Sequence, residues 1–128
     1  MSDLTRSMGA AASGMQAQSA RLRLSAENVA NADTPGYRRK TVPFLQVAQP
    51  DGGVVQAGRV ILDRRDLPQV YDPAHPMANE EGFYEGSTVD LMVELADARE
   101  AQRSYEANLK MLDQARSMTA SLIDLMRR

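Results

Sequence analysis

The chain has 128 residues and a formal net charge of −2, with no Cys, no Trp, two Phe, four Tyr and eight Met. That length fits one domain, and the shortage of aromatic residues favours helix–helix packing over a thick globular core. Because positive and negative charges are interleaved along the sequence, we expect no nucleic-acid partner. The lack of Cys excludes disulfide bonds, thiol catalysis and cysteine metal sites.

The N-terminal residues lack the pattern of a cleaved secretory signal. Asp3 and Arg6 precede a short Gly/Ala/Ser stretch, and no basic segment is followed by a long apolar block. The sequence also has no apolar run of the length that a membrane span needs. We therefore expect a cytoplasmic protein, or one exported by a route that cleaves no signal.

An apolar seam with alternating steps of four and three residues predicts a helix over residues 1–31. The seam positions are Leu4, Met8, Ala11, Met15, Gln18, Leu22, Ser25 and Val29. Gly9 and Gly14 lie off this seam, and each lowers helix stability by up to about 1 kcal/mol relative to Ala. Since glycine has no side chain, the same two positions allow the backbone of a neighbouring helix to approach closely.

The stretch ANADTPGY, residues 30–37, ends this helix. Asn31 and Asp33 are typical of helix ends and turns. Pro35 followed by Gly36 fits the centre of a type II turn, in which the second central residue has a positive φ. We expect the chain to leave the helix here and to enter a different kind of structure.

Residues 32–86 are predicted to form a small β-rich insert. Short strands are expected at Val42, at Phe44 and in the apolar runs that follow, which are residues 54–55, 60–62 and 70–71. The sequence PDGG at 50–53 predicts a hairpin turn. Residues 71–83, YDPAHPMANEEGF, have neither a helical nor a strand period and are expected to form an ordered loop.

A second helix is predicted over residues 87–128. Ser87 followed three residues later by Asp90 resembles a capping box. From there a seam of the same spacing continues, and its apolar positions are Leu91, Leu95, Ala98, Tyr105, Leu109, Leu112, Ile123 and Met126. We predict that this seam and the first one meet other helices.

These elements predict a mainly α protein with a small β insert, in which long N- and C-terminal helices form a coiled-coil pair. The segments are an N-terminal helix at 1–31, an insert at 32–86 and a C-terminal helix at 87–128. An antiparallel pair within one chain would leave surplus apolar surface. We therefore expect the chain to fold fully only when neighbouring molecules cover that surface.

The sequence predicts no catalytic residue, no cofactor and no metal site. His75 is the single histidine, so a metal site would lack its usual partners. No phosphate loop or nucleophile elbow is present. The basic run RRK at 38–40 is interpreted as solvated charge. A hydrolase that uses Asp72, His75 and Glu80 is the enzyme alternative, and a soluble coiled-coil adaptor for one partner helix is the binding alternative.

Two stretches resemble the bacterial flagellar axial family, the rod and hook proteins. Residues 12–40, ASGMQAQSARLRLSAENVANADTPGYRRK, are similar to its N-terminal signature. Residues 71–109 contain a Tyr-Asp-Pro-x-His-Pro loop, a Gly-aromatic pair and Ser-Tyr-Glu-Ala-Asn, and they resemble rod members of the family. The residues assigned to the family motif are Asn28, Asn31, Pro35, Gly36, Tyr37, Tyr105, Glu106 and Asn108.

The resemblance implies a structural subunit of the proximal rod of the flagellar basal body, polymerising into a helical tube that transmits torque and encloses the export channel. Both helices would then lie along the tube as a coiled coil, with the insert facing outward. The implied partners are copies of the chain, other rod proteins and the flagellar export apparatus, with no small-molecule substrate. The implied location is the periplasmic rod, reached without signal cleavage. Another axial protein of the same family is the nearest alternative.

Overall fold

The computed structural model describes residues 2–50 and 52–128. Two long helices flank six short strands. The helices are α1 (Ser2–Ala30) and α2 (Leu91–Arg127). The strands are β1 (Lys40–Thr41), β2 (Phe44–Val47), β3 (Val54–Ala57), β4 (Ile61–Leu62), β5 (Gln69–Tyr71) and β6 (Phe83–Glu85). This architecture confirms the predicted fold class.

The two helices pack side by side and antiparallel. Asn28 near the end of α1 contacts Glu94 near the start of α2, whereas Gly14 lies against Asn108 further along α2. The buried apolar residues among those described are mostly alanines, and they are Ala11, Ala17, Leu24, Ala101 and Ala115. The core is therefore a thin layer between the helices, as the shortage of aromatic residues predicts.

The end of α1 has the geometry that its sequence predicts. The Asn31 side chain donates to the carbonyl of Glu27 at 2.9 Å, so it satisfies a carbonyl in the last turn of the helix. Gly36 has a φ of 76°, and the Tyr37 amide donates to the Thr34 carbonyl at 3.2 Å. This closes the turn around Pro35 and Gly36, and Tyr37 is directed back toward α1.

The insert consists of three two-stranded antiparallel sheets, β1–β4, β2–β3 and β5–β6. The β2–β3 pair, in which Val47 lies opposite Val54, confirms the predicted hairpin. Asp51 of its turn, like Met1 of the predicted first segment, lies outside the described residues. The Val55 amide donates to the Ser13 hydroxyl at 3.2 Å, which holds the hairpin against α1.

Several local predictions are wrong. Helix α2 begins at Leu91 and not at Ser87, because Asp90 is its N-cap and accepts the Met92 amide at 2.9 Å. The Ser87 hydroxyl instead donates to the Ala32 carbonyl. The predicted strand at 70–71 is confirmed by β5, but the last residue of the predicted loop, Phe83, begins β6 and pairs with Tyr71. The strand predicted at Val42 is also wrong, since this residue lies between the end of β1 and the start of β2. The division at 31 and 86 into three segments stays a prediction.

Candidate functional site

One buried asparagine joins both helices to the insert. The Asn28 side chain is 1% exposed, and its Nδ2 donates to the Lys40 carbonyl at 2.9 Å and to Glu94 Oε1 at 3.1 Å. Its Oδ1 accepts the Lys40 amide and the Tyr37 hydroxyl, both at 2.9 Å. Burial and the nearby Glu27 charge raise the pKa of Tyr37, so the hydroxyl keeps its proton for this bond. Since the Asn28 side chain bonds to both the carbonyl and the amide of Lys40, it takes the place of a neighbouring strand.

An ion-pair cluster lies beside Asn28. The Glu94 carboxylate is fully buried and accepts from Arg39, whose guanidinium also bonds to Asp97. Burial disfavours the Arg39 charge, but the hydrogen bonds and charges of Glu94 and Asp97 outweigh it, and the pKa of Arg39 is raised. Arg21 of α1 bonds to Asp97 at 3.4 Å. We call the set Asn28, Tyr37, Arg39, Glu94 and Asp97 the polar junction.

The interpretation of the basic run 38–40 as solvated charge is wrong. Arg38 donates to the carbonyls of Asp63 and Arg65 at 3.0 and 2.7 Å, Arg39 belongs to the polar junction, and Lys40 pairs with Glu27. These three side chains fasten β1 to its surroundings. Sequence reasoning could not find their partners, which lie 13 to 58 positions away in the chain.

Asp63 anchors the segment that follows β4. Its carboxylate accepts from the Arg65 side chain and backbone amide at 2.8 and 2.9 Å. These hydrogen bonds lower the pKa of Asp63 from 3.8 to about 2. Arg65 in turn donates to the Thr88 carbonyl at 3.2 Å, so the segment is linked to the residues just before α2.

Of the two glycines predicted to allow close approach, Gly14 meets another helix. A Cβ atom added at Gly14 would lie 2.7 Å from Asn108 Nδ2 of α2, whereas one added at Gly9 would meet nothing within 4 Å. The motif residue Asn108 therefore lies against a position where a larger side chain would not fit without a shift of the Asn108 amide. The other C-terminal motif residues differ in burial, because Tyr105 is half-buried and Glu106 is exposed.

The face of α2 that packs on α1 follows two tracks of seven-residue spacing. One track, Ala98, Tyr105, Leu112 and Thr119, is half-buried, and its three apolar members are among the predicted seam positions. The other is Glu94, Ala101, Asn108 and Ala115, of which all but Asn108 are fully buried. Polar Glu94 and Asn108 do not count in an apolar periodicity, so sequence reasoning missed this second track.

Five of the predicted seam residues of α2 remain exposed in the single chain: Leu91, Leu95, Leu109, Ile123 and Met126. Further exposed apolar side chains of the helix are Met92, Val93, Met111, Met118, Leu122 and Leu125. We call these eleven residues together the α2 stripe. Of the α1 seam, Ala11 is buried and Val29 is exposed, while the half-buried members are Leu4, Met8, Met15 and Leu22. Their role in assembly stays a prediction.

His75 has structural contacts. Its ring stacks on Tyr84 with centroids 3.9 Å apart, and its Nδ1 accepts the Met77 amide at 3.1 Å. Within residues 2–50 and 52–128, no group of three or more acidic or histidine side chains is placed to hold a metal ion. Over the same ranges, neither helix combines the length and apolar character needed to cross a membrane.

Comparison with known proteins assigns the chain to a family. The family described as "Flagella basal body rod protein" matches residues 8–38, and "Flagellar basal body rod FlgEFG protein C-terminal" matches residues 80–125. The flagellar basal-body rod protein FlgC of Agrobacterium fabrum is 43% identical over 99% of this chain and 98% of its own length. The FlgC proteins of Yersinia enterocolitica and Salmonella typhimurium are 35% identical over 90% of the chain and 92% of theirs.

The chain belongs to the FlgC family of flagellar basal-body rod proteins. It is a structural subunit of the basal-body rod, and its relatives are structural proteins of the same organelle. The alternatives of a FlgB-type or distal-rod protein and of a non-flagellar adaptor are thereby set aside. The match at 8–38 contains the α1 break and Asn28, and the match at 80–125 contains Glu94 and Asn108. Both therefore include parts of the contact between the helices.

Proposed function

We propose that this chain polymerises, with copies of itself and with other rod proteins, into the helical tube of the proximal rod. In this proposal the paired helices run along the tube and enclose the export channel, and the insert faces outward. Torque passes through the tube because each subunit is held by its neighbours. The chain reaches its periplasmic position through the flagellar export apparatus, without loss of a cleaved signal.

The α2 stripe is the observation that carries this proposal. Large apolar side chains line α2 from Leu91 to Met126, while the intrachain core is built mostly of alanines. Large apolar side chains left exposed in this number along one helix favour an interaction role. A partner that buries the stripe gains about 25 cal/mol for each Å² removed from water. Contacts that join different faces of successive copies propagate into a helical assembly when the rotation between copies does not close a ring.

Substituting two members of the stripe tests the proposal. Leu109→Ser combined with Ile123→Ser removes apolar side chains that the single chain leaves exposed. We expect non-motile cells whose basal bodies lack the rod in electron micrographs, while the purified variant keeps the circular dichroism of the parent chain.

The matched control is Lys110→Ser combined with Asp124→Ser, which places serine at exposed polar positions next to the tested ones. The loss of helix propensity is similar, but no apolar surface is removed. The control cells should swim and carry normal rods. Normal rods in the Leu109→Ser, Ile123→Ser cells would refute the stripe as the assembly surface.

A further inference from the structure

Unlike the rest of the chain, residues 59–98 carry their positive and negative charges in two separate stretches. Between residues 59 and 65 the chain has three arginines and one acid, whereas residues 66–98 contain no Lys or Arg at all. These two regions belong to different two-stranded sheets, β1–β4 and β5–β6. Residues 59–65 and 70–85 contain no member of the α2 stripe, which begins at Leu91.

The first region forms a basic, apolar groove around β4. The strand residues Ile61 and Leu62 and the preceding Val60 are about half exposed. Arg38, Arg59 and Arg64 line the same concavity. None of these three arginines forms an ion pair within the described chain, and the carboxylate of Asp63 in the groove is already bonded to Arg65. We call this surface the β4 groove.

The second region is acidic and also carries exposed apolar side chains. Tyr71 and Met77 are 65% and 66% exposed. Glu80, Glu81 and Glu85 lie in the same segment, and their carboxylates form no ion pair or hydrogen bond among the described residues. We call residues 70–85 the acidic knob.

The acidic knob is ordered before it meets any partner. The Asp72 amide donates to the Gly82 carbonyl at 2.9 Å, and the Asn79 amide donates to the Phe83 carbonyl at 2.8 Å. The Asn79 side-chain oxygen accepts the amides of Glu81 and Phe83, each at 3.0 Å. A preorganised surface loses little conformational entropy on binding, which favours a docking role.

We propose that the acidic knob of one copy docks into the β4 groove of a second copy of this chain, as a lateral contact within the rod. The two surfaces complement each other, since each combines exposed apolar residues with unpaired charges of one sign. Apolar contact supplies affinity in such an interface, and the charges set its register and partner. Because groove and knob are different surfaces, the contact leaves a free groove and a free knob at the two ends, so it propagates. The inference rests on the proposed function and adds a contact made by the insert.

Charge reversal tests the docking. Arg59→Glu with Arg64→Glu, or Glu80→Arg with Glu81→Arg, opposes like charges and should abolish swarming in soft agar. The combination of all four substitutions in one chain restores opposite charges and should restore swarming. Arg59→Lys with Arg64→Lys keeps the charge and should swarm normally. Normal swarming of either charge-reversed pair overturns the inference. A combined variant that does not swarm also overturns it, because the β4 groove would then meet another protein.

Disulfide trapping tests the same contact by a measurement that does not depend on swarming. The chain has no Cys, so Leu62→Cys and Met77→Cys can be placed on two separately tagged copies expressed together. A disulfide dimer carrying both tags should form in purified basal bodies, and neither variant alone should form one. If basal bodies hold both copies but no mixed dimer, the docking is wrong while the rod assignment stands. If neither copy is found in basal bodies that are otherwise intact, the proposed function itself fails.

Discussion

The Asn28 side chain makes four hydrogen bonds, and each of them joins α1 to the insert or to α2. It reaches the insert through Lys40 and Tyr37, and it reaches α2 through Glu94. A buried polar side chain of this kind is costly to remove, because its partners lose their bonds without regaining water. The residue therefore fixes how α1, α2 and β1 meet.

At the residue scale, Gly9 and Gly14 differ in what an added methyl group would meet. Gly9→Ala should raise the free energy of unfolding by up to about 1 kcal/mol, because alanine favours the helix. Gly14→Ala should gain less or lose stability, because its Cβ would lie 2.7 Å from Asn108 Nδ2 and the amide must move. Urea unfolding of the purified variants measures both.

Asn108→Ala added to Gly14→Ala serves as the control for that comparison. The second substitution removes the side chain that the new methyl group displaces, so the helix-propensity gain should reappear. Equal stabilisation by Gly9→Ala and Gly14→Ala would contradict the close approach of the two helices at this point.

Asp63 makes the free energy of unfolding depend on pH. Its pKa is about 2 in the folded chain and 3.8 ordinarily, so the folded state binds its proton less readily than the unfolded state. The stabilisation is therefore complete above about pH 4 and is lost as the pH falls from about 4 to about 2. The difference in free energy of unfolding between the parent and Asp63→Asn should shrink over that interval.

Arg65→Ala removes the side-chain hydrogen bond and the charge that lower this pKa, while the backbone amide bond stays. The stability difference between the Arg65→Ala chain with and without Asp63→Asn should therefore be smaller, and it should vary less between pH 4 and 2. A parent chain whose advantage over Asp63→Asn is the same at pH 5 and pH 2 would show that Asp63 and Arg65 do not interact in the folded state.

At the scale of elements, the Arg39–Glu94 pair connects β1 to α2. Arg39→Ala leaves a fully buried carboxylate without its cation, which should lower the free energy of unfolding by about 3 kcal/mol. Lys40→Ala breaks a partly exposed pair with Glu27 and should cost about 1 kcal/mol or less. Both are measured by urea unfolding, and equal losses would rule out the polar junction as the stronger link.

The helices and most strands were predictable because their signals are local. Apolar periodicity marks α1 and α2, the Pro35–Gly36 pair marks the turn, and apolar runs mark the strands. The N-cap of α2 was not predictable, since Ser87 and Asp90 are both good N-cap residues. Only the folded chain directs the Ser87 hydroxyl toward the Ala32 carbonyl. The buried track through Glu94 and Asn108 was missed because its polar members gain their place from partners elsewhere in the chain.

At the scale of the whole molecule, α2 extends beyond the part of it that is buried against α1. The polar junction lies at one end of the helix pair, and every residue of α2 from 120 onward is exposed. Few buried contacts support the backbone hydrogen bonds of residues 120–127, so this end of α2 should open locally with little cost in the isolated chain. Assembly into the rod would then order it.

Hydrogen exchange of α2 tests that account most directly, by comparing the purified chain with the same chain in isolated basal bodies. We predict that amides of residues 94–105 are protected in both states, while those of residues 118–127 exchange rapidly in the isolated chain and become protected in the basal body. Equal and strong protection of residues 118–127 in both states would contradict folding coupled to rod assembly.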